Sequence, residues 1–322
     1  MSVTFSGAFT FSGGGFTATL APPTTATAGW WGAGQNNTSV QRVTFATDTA
    51  TATLRGPLNA SSYFYGLAAA GTLTDGWYGG GTQSGVGAIS IVNRITYATD
   101  TATATTKGPL SLARSYLGAT SDGTTYGWFG GGGPGNKSTV DRITYATDTD
   151  TASIRGPLSG NRLRVAGTGI DTDGYFGGGY SPATGSTVSI INRITYATDT
   201  ATASVKGPLN IATSFLSAST DGTTYGWFGG GDGPYSVVQR ITYANDTATA
   251  SLRGPLSSSR YGISAAGDST YGWFGGGRNP ATPGGVVTTV DRITYATDTA
   301  TASIRGPLNT QTTLSGAAAG IQ

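Results

Sequence analysis

The sequence has no cysteine, no histidine and no glutamate, and its one methionine is Met1. Without cysteine there is no disulfide framework, and without cysteine or histidine no metal site built on those ligands. A histidine base, a cysteine nucleophile and a Ser-His-Asp triad are excluded for the same reason. Charge is scarce and balanced, with 18 Lys and Arg against 16 acidic residues, all of them Asp. No basic run or aromatic-interleaved patch points to nucleic acid. No apolar stretch approaches the roughly 18 residues that cross a bilayer, so membrane insertion is not expected. The opening Met-Ser-Val-Thr-Phe-Ser-Gly lacks the basic and apolar regions of a signal peptide. The expectation is a chain made in the cytoplasm, and any route outside is signal-less, as part of an assembled particle.

What the sequence has is glycine, 53 residues of it, and repetition. The phrase Arg-Ile-Thr-Tyr-Ala-Thr-Asp-Thr-Ala-Thr-Ala recurs with small changes from Arg42, Arg94, Arg142, Arg193, Arg240 and Arg292, and each copy runs on into Gly-Pro-Leu. A second phrase, Gly-Trp-Phe-Gly-Gly-Gly, keeps step, its leading aromatic at Trp30, Trp77, Trp128, Tyr175, Trp227 and Trp273. A fixed period of this kind marks units that cannot bury their own faces and need neighbours.

Each unit reads as four short strands. Thr-Val-Asp-Arg-Ile-Thr-Tyr (139–145) is β-branched and aromatic. Ala-Thr-Asp-Thr turns the chain, Thr-Ala-Ser-Ile-Arg (151–155) returns antiparallel, and Gly156-Pro157 ends it because proline cannot donate to a ladder. A small-residue segment such as Ser-Tyr-Leu-Gly-Ala-Thr (115–120) follows, then a turn at Asp122-Gly123, then Tyr126-Gly-Trp-Phe. Nothing in the unit has helical periodicity.

The expected fold is all-β, a six-bladed β-propeller of four-stranded antiparallel blades. Its blades are 29–58 with 312–321, then 59–110, 111–158, 159–209, 210–256 and 257–308. The first unit lacks its small-residue strand and the C-terminal Leu-Ser-Gly-Ala-Ala-Ala-Gly (314–320) supplies one, so the ends of the chain close the ring in one blade and hide both edges. Residues 1–28, with Phe5, Phe9, Phe11 and Phe16, are read as an extra strand or tether.

The pattern resembles the kelch repeat. Tyr271-Gly-Trp-Phe-Gly-Gly-Gly277, followed by Tyr295, Thr299 and Pro307, carries the resemblance, and Arg114, Arg162 and Arg260 match the basic position after the kelch proline. The chain departs from that family where a tryptophan is expected on the outer strand, since Ala104 and its equivalents stand there. Its Thr/Gly-rich, cysteine-free style also resembles propeller proteins of tailed-bacteriophage virions. That resemblance implies a virion-associated structural or binding role.

In a kelch-like strand order the repeated arginines and the outer-strand basic residues fall on one face, called the top. The turn aspartates fall on the other, which gives a polar disc. The competing reading has each Arg and Asp satisfying its own loop or turn. The triple glycines lack the Lys-Ser/Thr of a phosphate loop. The repeated tryptophans sit where blades pack, and Asp148-Thr-Asp150 lacks the ligand spacing of a calcium loop. The sequon at 37–39 carries no weight without a secretory signal. Recognition is sought where the repeat breaks, in loops 35–39, 82–90, 134–138, 180–187, 232–236 and 278–288. The candidate binding residues are Lys137, Tyr180, Tyr235, Arg278 and Asn279, with Arg162, Arg164 and Arg260 from adjacent top loops; no catalytic residue, metal or cofactor is expected. Alternate blades carry long and short loops, a pseudo-threefold pattern that suits a trimeric partner. The leading function is a non-enzymatic structural or binding propeller, a phage virion appendage or fibre component. Its partners are other virion or structural proteins or a cell-surface glycan. The alternative is a lectin-like propeller using its inter-blade grooves, and the third reading is a glycosidase or oxidase, for which the acids are lacking.

Overall fold

The computed structural model of the protein describes residues 10–12, 15–17 and 25–319, apart from 36, 61–63, 136 and 234. Its helical turns are single 3-10 turns, and the fold is all-β. Six four-stranded antiparallel sheets recur along the chain in one pattern. The third shows it: Gly118–Ser121 pairs with Tyr126–Gly130, that strand with Val140–Thr144, and that one with Ser153–Arg155. The repeated Ala-Thr-Asp forms a 3-10 turn, Tyr145–Thr147, between the last two strands. The first sheet borrows its innermost strand from the other end of the chain, with Gly316–Ala318 on Ala28–Gly34. Thr10–Ser12 and Gly15–Thr17 pair with each other. Residues 25–28 lead into the first sheet, Ala28 beginning its second strand, and the rest of the expected tether lies outside the described residues.

Strand periodicity explains the Trp-Phe pair. Successive side chains point to opposite faces, so Trp128 goes forward to the fourth sheet and Phe129 back to the second. Six apolar clusters result, one per junction, and the sixth joins Trp273 of the sixth sheet to Phe45 of the first. Each leading Trp lies flat on the turn aromatic of the following sheet. Centroids are 3.6–3.9 Å apart for Trp30–Tyr97, Trp77–Tyr145, Trp128–Tyr196, Trp227–Tyr295 and Trp273–Phe45. Burying one indole is worth on the order of 4 kcal/mol before entropy is counted.

The repeated charges meet at the same junctions. Asp199 accepts from Trp128 Nε1 at 2.8 Å and Arg142 at 3.0 Å, and lies 3.5 Å from Arg155, all three in the preceding sheet. Asp100, Asp148, Asp298 and Asp48 take the same three partners, and Asp246 does so with Tyr175 in place of the indole. The expected polar disc is therefore corrected: its arginines and turn aspartates neutralise each other across sheet boundaries. The reason is sheet twist, which carries the outer strand of one sheet round onto the turn of the next.

Backbone completes each clasp. Gly156 N–H donates to Asp199 O at 2.7 Å, and Ala203 N–H to Pro157 O at 2.8 Å. A methyl on Gly156 would strike the carbonyl of Ala201, which is why the phrase is Gly-Pro.

At the opposite end of the inner strands Gly66, Tyr116, Arg164, Phe215, Gly262 and Leu314 all hold φ of 58° to 69°. Each N–H donates to the carbonyl of the preceding member, Tyr116 to Gly66 and Arg164 to Tyr116 at 2.6 Å, and Gly66 takes up Leu314 at 2.7 Å. The chain of donors returns to its start. Inside it, Ala69, Ala119, Gly167, Ala218, Ala265 and Ala317 line a cavity of about 90 Å³.

Asp199→Ala strands three donors in a buried junction and is expected to lower the unfolding free energy by about 3–5 kcal/mol in urea titrations. Gly156→Ala forces the junction apart and should cost on the order of 3 kcal/mol. Wild-type stability in either variant would show that the clasp does not hold the sheets.

Candidate recognition face

The loops between second and third strands emerge on the same face as the donor ring. In the second, fourth and sixth sheets they form hairpins: Thr82–Gln83 with Gly87–Ala88, Tyr180–Ser181 with Ser186–Thr187, and Arg278 bridged to Val286. Each hairpin also pairs inward, Thr82 with Tyr65, Tyr180 with Leu163 and Arg278 with Tyr261, next to the ring position of its own sheet. The threefold alternation of loop length thus becomes three braced hairpins around one mouth.

The candidate residues divide. Arg164 and Tyr180 come together at the mouth, the guanidinium carbon 5.7 Å from the Tyr180 ring centre, 4.2 Å from Phe215 and 5.9 Å from Tyr116. Arg278 is exposed, while Lys137 and Tyr235 are half-buried, and each lies on a separate loop. Asn279 caps its own turn by accepting the Ala281 N–H at 2.9 Å.

Arg162 and Arg260 are corrected as binding residues, because both are buried. Arg162 donates to the carbonyls of Gly178 and Ile190 at 2.8 Å and to Asn192 Oδ1 at 2.6 Å. Arg260 does the same with Gly276, Thr289 and Asp291, and Arg114 with Gly131, Thr139 and Asp141. Each stitches together the two ends of a variable loop. Arg162 has an amide where the other two have a carboxylate. Burial pulls its pKa down to about 10, so it remains charged at neutral pH.

Three expectations about shared motifs are also decided here. The tryptophans are buried at the junctions, packed on the turn aromatics rather than laid open for a sugar, although Trp30 lines a cavity between the first and second sheets. Asp148 is consumed by Trp77, Arg94 and Lys107, and among the described residues no three Asp gather as a metal site. Asp122 and Asp221 accept three backbone N–H groups apiece in their own turns, as the competing reading has it.

Sequence reasoning missed Tyr65, Tyr116, Phe215, Tyr261 and Leu314, which surround the mouth with Arg164. A signal was present. Aligning the units on their small-residue strands puts Gly66, Tyr116, Arg164, Phe215, Gly262 and Leu314 in one column, where glycine, aromatic, basic and aliphatic residues all occur. A separate cavity of about 580 Å³ opens at the other end of the first sheet, beside Arg42 and Trp30. There Ala28 replaces the Asp or Tyr that faces the same arginine in the other five sheets.

No family model matches the chain, and no curated protein matches it.

Replacing the amide by a carboxylate tests the stitch. Asn192→Asp gives Arg162 the partner that Arg114 and Arg260 already have, and should raise the unfolding free energy by about 1–2 kcal/mol. A lower thermal midpoint for this variant would contradict the assignment.

Proposed function

We propose that the six sheets are blades of one closed six-bladed β-propeller and that it serves as a non-enzymatic attachment module. The narrower reading is a virion appendage or fibre component that grips a structural protein or a surface. One observation carries this: the repeated charged and aromatic side chains are spent inside the junctions, and the irregular ones gather on one face. The order of neighbours supports closure, since the sixth sheet clasps Asp48 of the first as every other sheet clasps its successor. The compositional resemblance to phage propellers supports the setting. Three hairpins at alternate sheets fit a partner with a threefold axis. A second reading, recognition of a glycan, is favoured by the arginine among half-exposed rings at the mouth, which differs from the inter-blade grooves expected from sequence.

Quantitative mass spectrometry of purified particles tests the attachment role. The chain should occur at fixed stoichiometry with a particle protein, in a ratio that matches a threefold axis. Replacing 182–185 by two glycines should leave folding intact and lower incorporation. A chain found only in the soluble lysate sinks the proposal.

A further inference from the structure

We propose that the mouth of the donor ring binds an acidic saccharide, with its carboxylate on Arg164 and its ring faces against Tyr116 and Tyr180. The inference rests on the recognition role above and names the ligand class for that face.

Four observations converge on this spot. First, the Arg164 guanidinium is held by ring faces alone. Phe215 covers it at 4.2 Å, and among the described residues no side-chain hydrogen bond or aspartate engages it. A stacked guanidinium keeps its N–H groups free in its plane, and that edge matches a carboxylate in bidentate fashion. The clasp and stitch arginines, by contrast, already have their acceptors.

Second, the ring conformation asks for glycine. Gly66 and Gly262 supply it, whereas Tyr116, Arg164, Phe215 and Leu314 hold φ of 58° to 64° with side chains attached. Left-handed backbone is unfavourable for such residues, and strain of this kind collects at functional positions. Tyr116, Arg164 and Phe215 are consecutive around the ring and flanked on both sides by the two glycines. They form one wall with open notches, a single site on a pseudo-symmetric scaffold.

Third, the rim is aromatic. Tyr116 meets Phe215 edge-on at 5.7 Å, with Tyr65 and Tyr261 outside them and Tyr180 beside Arg164. A pyranose presents C–H faces to such rings, while a flexible acidic peptide has no flat face to offer. Fourth, the charge that remains after pairing has a direction. Lys137, Arg164 and Arg278 on this face have no aspartate partner among the described residues and outnumber the one acid of its loops, the exposed Asp232, while Asp122, Asp221 and Asp268 sit in turns at the opposite end of the inner strands. The field attracts an anion to the mouth.

The test uses the full chain and isothermal titration calorimetry with tetragalacturonate and an α2,8-linked trisialoside, against maltotetraose and tetraglutamate. At least one acidic sugar should bind, more weakly as salt rises, while maltotetraose and tetraglutamate do not. Arg164→Gly should weaken that binding about tenfold or more. The same change relieves the backbone and should raise the melting temperature by about 2 °C. Arg164→Asn, which tolerates left-handed backbone, should lose binding with the fold kept.

Binding of neither acidic sugar overturns the proposal, as does equal binding by Arg164→Gly or tighter binding of tetraglutamate. Particle incorporation of the wild-type chain is measured in parallel. Wild-type protein that is incorporated yet binds no acidic sugar sinks this site and leaves the attachment role. Sugar binding without incorporation does the reverse.

Discussion

Asp199 shows what holds the sheets in place. Its carboxylate gathers an indole N–H, a strand arginine and an outer-strand arginine from the sheet before it, and its own carbonyl takes the N–H of Gly156. A buried ion pair is a poor source of net stability, because desolvating both partners offsets most of the attraction. Its value here is in direction. Two flat apolar faces can slide and rotate on each other with little penalty, whereas a carboxylate with three fixed donors has one place to be. The Trp–Tyr stack beside it contributes the burial, and the clasp sets the angle at which one sheet follows the next.

This division of labour accounts for the near-identity of the repeats. Arg, Thr-Tyr, Asp and Gly-Pro are parts of one contact that spans two units, so none of them drifts alone. The departures show how much slack there is. Where Tyr175 replaces the indole, its hydroxyl still reaches Asp246 at 3.2 Å, but its ring sits 4.9 Å from Tyr243 and tilted. Where Phe45 replaces Tyr, the stack on Trp273 survives at 3.8 Å. The first change keeps the hydrogen bond and relaxes the stack, and the second keeps both, with the Trp273 indole still 2.9 Å from Asp48. The first sheet, assembled from the two ends of the chain, also lacks the Asp or Tyr partner of its arginine and leaves a cavity of about 580 Å³ there.

Much of the fold was legible in the sequence because it depends on local pattern. Alternation in Gly-Trp-Phe-Gly, the proline after Arg155 and the missing first strand gave the strand order and the pairing of Gly316–Ala318 with Ala28–Gly34. The charges were not legible, because partners such as Arg142 and Asp199 lie 57 residues apart and twist decides which strand end meets which turn. A flat drawing of four strands puts Arg142 and Asp199 on opposite sides, and the real sheet brings them to 3.0 Å. Arg162 and Arg260 misled for a related reason: a basic residue in a loop reads as exposed, and only the coordinates show two loop ends closing over it. Arg164, two positions on, reads the same way in the sequence, and it lies over Tyr116 and Phe215, which come from other sheets.

The donor ring explains how a scaffold this repetitive can hold one irregular site. Its six hydrogen bonds join backbone N–H to backbone carbonyl, so none of them needs a particular side chain. The inner strands stay registered whether the position is Gly66, Tyr116 or Leu314, provided that the residue accepts positive φ. At the sheet junctions, by contrast, side-chain identity is bound up with packing or with the clasp, and a change propagates to the next sheet. At the ring, identity is released from structure while position stays fixed. Variation there costs backbone strain in one residue at a time, which a fold carrying six packed junctions can absorb.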